Sequence, residues 1–402
     1  MANSRIKKAV KMTSKISNEK KMILARIEKE FSVIKGINDF IHDNPELGNR
    51  EFKAFEILTT TLKKYGYNVN SGVAGLKTAF VAEKKGSSEG PVVAIIAEYD
   101  ALPDLDHGCG HNIIASSAIG AAIGILPLAD KFAGTIKIIG TPAEDSTSEK
   151  LRMIKAGIFD QVHYSMQCHA NDRTMTGAKF KALCKADFDF YGVSSHASRA
   201  PEKGISSLDA VLLTHNAIEF LKEHVKKDVS ISGIITNGGM SPASIPAFAS
   251  TSYVIRSNDK TYLNEVIKRV YNCAKGAAIA TGARLKIKEG ARLDSMLCIP
   301  SFDEIFINNT KLLDPPQLAE QTSMASSDFC NLSTIMPSSR LEIAFVPYGT
   351  STHSKAFTDA GKTEAAYRAI KIASFAMAAT AFDILTDKKL AEKIKKEYES
   401  LS

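Results

Sequence analysis

Apolar residues recur along this chain in two rhythms, one helical and one strand-like. Across residues 28–42, Phe31, Ile34, Ile37 and Ile41 fall at helical spacing and predict an amphipathic helix, which Asn44-Pro45 ends. A second helix is predicted over residues 51–65, with Phe55, Leu58, Leu62 and Tyr65 on one face. Strand-like runs begin at residues 66–69 and 78–82 and continue at 91–96, 134–139 and 162–168. Residues 113–126, rich in Ala, Ile and Gly, read as a core helix. This alternation through residue 170 predicts a sheet covered by helices on both faces.

From about residue 180 the order changes. A strand over 182–191 precedes a helix over 206–222, strands over 229–236 and 249–256, a long helix over 263–281 and a strand over 284–289. That βαββαβ order is the split, ferredoxin-like arrangement. After residue 295 the helix and strand alternation returns, and an Ala-rich helix over 365–385 is expected to pack on the first sheet. The predicted organisation is therefore a domain of residues 1–180 and 293–402 interrupted by a smaller one over 181–292.

Composition narrows the class. A chain of 402 residues exceeds the roughly 250–300 at which single cores stop growing. Hydrophobic content of 44% and charged content of 24% are ordinary for a globular protein, so no fibrous or low-complexity class is in play. The net charge of +7 owes much to Lys7, Lys8, Lys11, Lys15, Lys20, Lys21 and Arg26. No aromatic interleaving accompanies them, so a solvated leading segment is expected and no nucleic-acid partner. No signal peptide and no run of 18 apolar residues is read, so no membrane association is expected. The six cysteines (109, 168, 184, 273, 298, 330) lack a framework spacing, which predicts reduced thiols and a cytoplasmic location.

Candidate chemistry concentrates after the apolar run at 91–96. His107-Gly-Cys-Gly-His-Asn112 forms a glycine-punctuated loop between a strand end and a helix start, where open α/β sheets place ligands. Cys109 and His111 can converge on one cation of the zinc type. Either residue alone is usually a packing residue, and Cys109 could instead be a nucleophile activated by His111. Glu144-Asp145, His169 and His353, each after a strand-like run or in a loop, add carboxylate and imidazole donors and favour metal. Cys168, beside His169 on a strand, points to the opposite face and reads as core.

The motifs His42-Asp-Asn-Pro-Glu-Leu-Gly48, Glu98-Tyr-Asp-Ala-Leu-Pro103, His107-Gly-Cys-Gly-His-Asn112, Gly140-Thr-Pro-Ala-Glu-Asp145, Met166-Gln-Cys-His169 and Ser194-Ser-His-Ala197 occur in this order. Together they resemble the M20 metallopeptidase family, in the amidohydrolase branch with a cysteine in its metal loop and most like dipeptidases and aminobenzoyl-glutamate hydrolases in form. The resemblance spans about residues 28–385. It implies a zinc-peptidase-like α/β catalytic domain, its mixed sheet held between helices, with an inserted ferredoxin-like α+β lid and dimerisation domain. It further implies two divalent ions per subunit (zinc, manganese, cobalt or nickel) held by Cys109, His111, Asp145, His169 and His353, with Cys109 bridging. Glu144 matches the general base, which takes a proton from the attacking water and passes it to the leaving amine. Asp100 matches a residue that orients a ligand, and His107 is placed beside it in the same supporting role. Glu98 stands where other branches keep a metal-binding histidine. His196 matches a donor that reaches the partner subunit's site and stabilises the oxyanion, and Arg256 matches an arginine that holds the substrate carboxylate.

Two departures from the family pattern are visible. The acidic pair, usually Glu-Glu before glycines, is Glu144-Asp145 before Ser-Thr-Ser, and a shorter aspartate needs the backbone to approach the metal. The family's Asn-x-Ile-Pro is Ala243-Ser-Ile-Pro246 here. The expected function is a homodimeric, metal-dependent hydrolase that cleaves an amide bond of a dipeptide or N-acyl amino acid by metal-activated water. The alternatives are an aminobenzoyl-glutamate hydrolase-like subunit, and a catalytically attenuated relative that binds peptides or acts as a scaffold.

Overall fold

The computed structural model describes residues 16–401 of the chain. The lysines at 7, 8, 11 and 15 lie outside the described residues. Among the described residues the strands are Asn68–Ser71 (β1), Phe80–Lys85 (β2), Val92–Ala97 (β3), Thr135–Gly140 (β4), Tyr164–Asn171 (β5), Met175–Thr176 (β6), Lys179–Phe180 (β7), Ala182–Tyr191 (β8), Ser230–Asn237 (β9), Phe248–Ser257 (β10), Arg284–Leu293 (β11), Ser323–Met324 (β12) and Ser338–Ala344 (β13). The chain divides into two compact units. One comprises the residues up to Ala178, Leu297–Thr322 and those from Asn331 onward; the other comprises Lys179–Met296 and Ser323–Cys330.

The first unit is built on a mixed seven-stranded sheet in the order β1-β2-β4-β3-β5-β13-β6. Its centre is parallel: β3 pairs with β4 and β5, and β5 with β13. Every residue of β5 and β13 is buried, as expected for strands covered on both faces. Helix His111–Ile125 is buried along its whole length, and helix Glu364–Thr386 packs against it. Gly120 permits that approach, because a methyl there would overlap the Ser374 hydroxyl. The stretch His111–Lys131, which continues the first of these helices, and helix Glu364–Thr386 are long and apolar enough to cross a membrane by length and composition, yet 83% of each apolar window is buried inside the fold. Neither is an uninterrupted apolar run, since Ser116 and Ser117 interrupt the first and Arg368 and Lys371 the second, and both are core helices.

The helix predicted over residues 28–42 is present as Phe31–Asp43, and a further helix precedes it. Residues 18–43 form two helices, Asn18–Lys29 and Phe31–Asp43, with Glu30 (φ −100°, ψ 10°) between them. Ser17 caps the first by accepting from the Lys20 N–H, and its Ile23 and Ile27 are fully buried. Lys20, counted with the solvated segment, pairs with Asp383 at 2.7 Å. Downstream of the Ala-rich helix a further one, Lys388–Leu401, buries Ala391 and Ile394.

The second unit is a four-stranded antiparallel sheet in the order β11-β8-β10-β9, with helices Ser207–Lys222 and Lys260–Thr281 packed on it. Its chain order is the ferredoxin-like βαββαβ. The core holds Phe188, Phe190, Val211, Tyr253, Ile255, Val266 and Val270. Strand β9 forms one edge of that sheet, and most of its residues are exposed, Ile234 and Ile235 among them.

Candidate metal centre

Four strand ends of the first unit converge on one cluster. Beyond β3 the chain runs through Glu98 and Asp100 into the loop that ends at Gly110, the residue before helix His111–Ile125. Gly110 has φ 77°, and a methyl group there would meet Ala170 and Phe357, so glycine is required for His111 to begin its helix beneath the sheet. The turn after β4 places Asp145, β5 carries His169, and the loop after β13 carries His353.

The donor atoms face one another. Potential ligand atoms of Cys109, His111 and His169 lie within 4.8 Å of each other, as do those of Cys109, Asp145 and His353, and those of Asp100, His111 and Asp145. Cys109 Sγ is 3.7 Å from His169 Nε2. Asp145 Oδ2 is 3.7 Å from His111 Nε2, and its Oδ1 is 3.6 Å from His353 Nε2. The carboxylate–imidazole separations are too long for hydrogen bonds. His111 Nε2 and Asp145 Oδ2 are buried and have no hydrogen-bond partner among the described residues. Buried polar atoms left this way need an explanation. A set of one thiol, three imidazoles and a carboxylate that share a common space fits divalent cations of the zinc type. The shorter Asp145 does reach the imidazoles, because its own N–H donates to Asp100 Oδ2 at 3.1 Å and draws the turn inward.

The surrounding groups orient these donors. His111 Nδ1 donates to the Asp100 carbonyl at 2.9 Å and lies 2.9 Å from Asp100 Oδ1, which fixes the tautomer and turns Nε2 toward the cluster. His169 Nδ1 donates to the Ala170 carbonyl at 2.9 Å, leaving Nε2 to face Cys109. Burial, then the charge of Asp145, pushes the Cys109 thiol up to about 12, so without a cation it carries its proton at neutral pH. That argues against a cysteine nucleophile. Burial works against a charged His111, but Asp100 and Cys109 outweigh it and raise its pKa well above the usual value. Burial and the Arg340 guanidinium push His169 the other way.

Supporting residues that the sequence did not reveal lie here too. Lys150 is fully buried, and its Nζ is 2.7 Å from Glu98 Oε1. Burial alone would raise the Glu98 carboxyl, but Lys150, followed by His111, His169 and Arg340, holds it lowered. Arg340 Nε donates to Glu342 Oε1 at 2.7 Å, and Glu342 Oε2 accepts from Asn171 Nδ2 at 2.8 Å. Glu51, fully buried, holds the turn before Glu144. No local signal in the sequence separates Lys150 and Glu51 from ordinary surface charges at a helix start, or Arg340 and Glu342 from the charges of an exposed segment.

Placement of the remaining candidates is specific. Carboxylate oxygens of Glu144 and Glu98 come within 4.8 Å of each other, which sets Glu144 on the Glu98 side of the cluster. His107 Nε2 bonds to the Ile41 carbonyl at 3.0 Å and its ring stacks with His42, so it ties the loop to helix Phe31–Asp43. His196 and Arg256 belong to the second unit. His196 lies in a turn bridged to Ser244, with its Nδ1 accepting from the Ser198 N–H at 3.3 Å. Ala243 still joins that turn, its carbonyl accepting from the Ala197 N–H at 3.0 Å. Arg256 is half-buried near the end of β10, and its Nε has no hydrogen-bond partner among the described residues.

Comparison with known proteins places these features. Residues 179–281 match the M20 family model described as a peptidase dimerisation domain. The chain is 29% identical over 397 residues to the Xaa-Arg dipeptidase of Mus musculus, covering 94% of this chain and 92% of that protein. It is 33% identical over 276 residues to a p-aminobenzoyl-glutamate hydrolase subunit of Escherichia coli, covering 63% and 57% respectively. Among solved structures it superposes on a Bacillus subtilis protein described as a dinuclear metal-binding peptidase of the M20 family. The TM-score there is 0.65 at 20% identity, with 86% of this chain and 98% of that one covered.

Proposed function

We propose that this chain, similar to M20 peptidases in its residues 179–281 and to an Xaa-Arg dipeptidase along most of its length, hydrolyses the amide bond of a dipeptide or N-acyl amino acid at the Cys109 cluster. The observation that carries this is the convergence of Cys109, His111, Asp145, His169 and His353 within a few ångströms, with lone pairs facing one space. Two divalent ions (zinc, manganese, cobalt or nickel), when bound, would polarise the scissile carbonyl and acidify water. Cys109, His111, Asp145, His169 and His353 would hold them, and Asp100 fixes His111 for that task. Glu144, beside the cluster, takes the proton of the attacking water and returns it to the leaving amine. In a homodimer His196 would supply a hydrogen bond to the developing oxyanion in the partner subunit's site, and Arg256 would offer a guanidinium to the substrate carboxylate. All five donors are intact, so a silent scaffold is not favoured.

A homodimer completes this reading. The exposed β9 edge with Ile234 and Ile235 suits pairing with a second copy. The six cysteines are free thiols, in keeping with residence in the cytoplasm.

A panel of dipeptides and N-acyl amino acids, assayed with manganese, cobalt, nickel and zinc, tests the proposal. At least one member should be cleaved in a chelator-sensitive manner. Metal uptake should strengthen as pH rises, because the Cys109 proton must leave. Cleavage that survives exhaustive chelation but is lost to a thiol alkylator would assign the chemistry to the cysteine instead.

A further inference from the structure

The turn that carries Glu144 and Asp145 is held from behind by a residue outside the donor set. Ala143, directly before the acidic pair, has φ 57°, a left-handed conformation that alanine adopts only when the surroundings hold it there. Its N–H donates to Glu51 Oε1 at 2.9 Å. The same oxygen accepts from the N–H of Asn49 at 2.8 Å, and Asn49 is itself left-handed at φ 66°. Thr78 donates to the other oxygen, Oε2, at 2.8 Å, so both oxygens of a fully buried carboxylate are engaged.

The rest of the turn follows from that anchor. The Ala143 carbonyl accepts from the N–H groups of Thr147 and Ser148, which closes residues 143–148 on themselves. Two positions further on, the Asp145 N–H is held by Asp100. Glu144 is thus pinned on both sides, through Ala143 by Glu51 and through Asp145 by Asp100. The Asn49 amide also reaches Thr147 and Glu149, at 3.0 and 3.2 Å. Gly48 completes the seat, since a methyl there would overlap Ser146 and Ala143.

We propose that Glu51 is the positioning residue of the acidic turn, clamping Asn49 and Ala143 in left-handed conformations so that Glu144 and Asp145 point into the metal cluster. It acts through the backbone and touches neither substrate nor ion. The proposal rests on the reading of Asp145 as a ligand and Glu144 as the base. Charge is not the essential property. A glutamine keeps an oxygen for the two N–H groups and turns its amide toward Thr78, whereas an alanine removes both acceptors and an aspartate withdraws them by one methylene.

The test uses the full chain with Glu51 replaced by Ala, Asp or Gln, and the double variant Glu51→Ala/Ala143→Gly. Hydrogen exchange of segment 141–148 is followed in the metal-free protein, and zinc affinity is measured by competition with a chromophoric chelator. Glu51→Ala should speed exchange in that segment and weaken zinc by about 10–100-fold, the usual loss when a residue supporting a ligand is removed. Its kcat should fall far more than its KM rises. Glu51→Asp should shift in the same direction by less, and it serves if the alanine variant does not fold. Glu51→Gln should stay near wild type. Glycine at position 143, free to be left-handed, should recover part of the alanine loss. Unchanged exchange and zinc affinity in a folded Glu51→Ala or Glu51→Asp protein, with only a lower melting temperature, would overturn the proposal. If the wild type binds no zinc, the metal reading fails on its own account, and the exchange of segment 141–148 still decides the role of Glu51.

Discussion

In the first unit, carboxylates taken out of water meet partners that are also out of water. Glu98 lies against Lys150, Asp100 against His111, and Glu342 against Arg340, all at 5% exposure or less. In the second unit, the buried Asp189 and Asp294 reach Lys288 and Lys260, lysines whose side chains are about half exposed. Pairs of the second kind are common on any surface and carry little energy. Pairs of the first kind cost desolvation on both sides and weaken a fold unless the charges do something more. The difference teaches where to look: the first unit's buried charges surround the proposed metal centre, and the paired charges of the second unit reach its surface.

The strongest way to sharpen this contrast is Glu144→Gln. Loss of a general base should lower turnover by about 10²–10⁴-fold while metal content stays at the wild-type value. Parallel loss of metal and activity would move Glu144 into the ligand set. Next in size is a core change in the second unit. Phe188 is fully buried and meets Tyr253 and Tyr271 edge-on, so Phe188→Ala should cost about 3–5 kcal/mol in a denaturant titration. Below that transition the variant should bind metal as the wild type does, and a variant that loses metal while folded would break the contrast.

Smaller effects should follow in the supporting residues. Asp100→Asn leaves His111 without its carboxylate and should weaken metal by about 10–100-fold, read by chelator competition. His107→Ala should cost about 1 kcal/mol of stability, from its bond to the Ile41 carbonyl, and leave metal affinity untouched. A large metal effect at His107 would assign it the supporting role expected from the sequence.

How much of this was legible beforehand follows the same division. Both layers of the second unit could be read from periodicity, because one face of each strand and helix is apolar, as along β8 and β10. In the first unit the donors were legible by chemistry: Cys109, His111, Asp145, His169 and His353 are residue types that few other tasks gather at strand ends. Their supports were not. Strand β13 reads Ser-Ser-Arg-Leu-Glu-Ile-Ala, and its buried arginine and glutamate hide the apolar pattern that would have announced a strand. Lys150 and Glu51 sit at helix starts, where charged residues are usually solvated. The helix Phe31–Asp43 was legible from its apolar spacing, whereas the helix before it, Asn18–Lys29, buries only Ile23 and Ile27 among lysines and glutamates, so no such stripe announced it.

The central claim is that the Cys109 cluster acts only when filled with metal. The most direct measurement strips the full chain with chelator, restores metal in steps, and follows amide hydrolysis against ions bound per chain. The account predicts no turnover in the stripped protein, and activity that rises with occupancy and levels off at two ions per chain. Turnover in the stripped protein, or saturation with metal without any hydrolysis across the substrate panel, would contradict it.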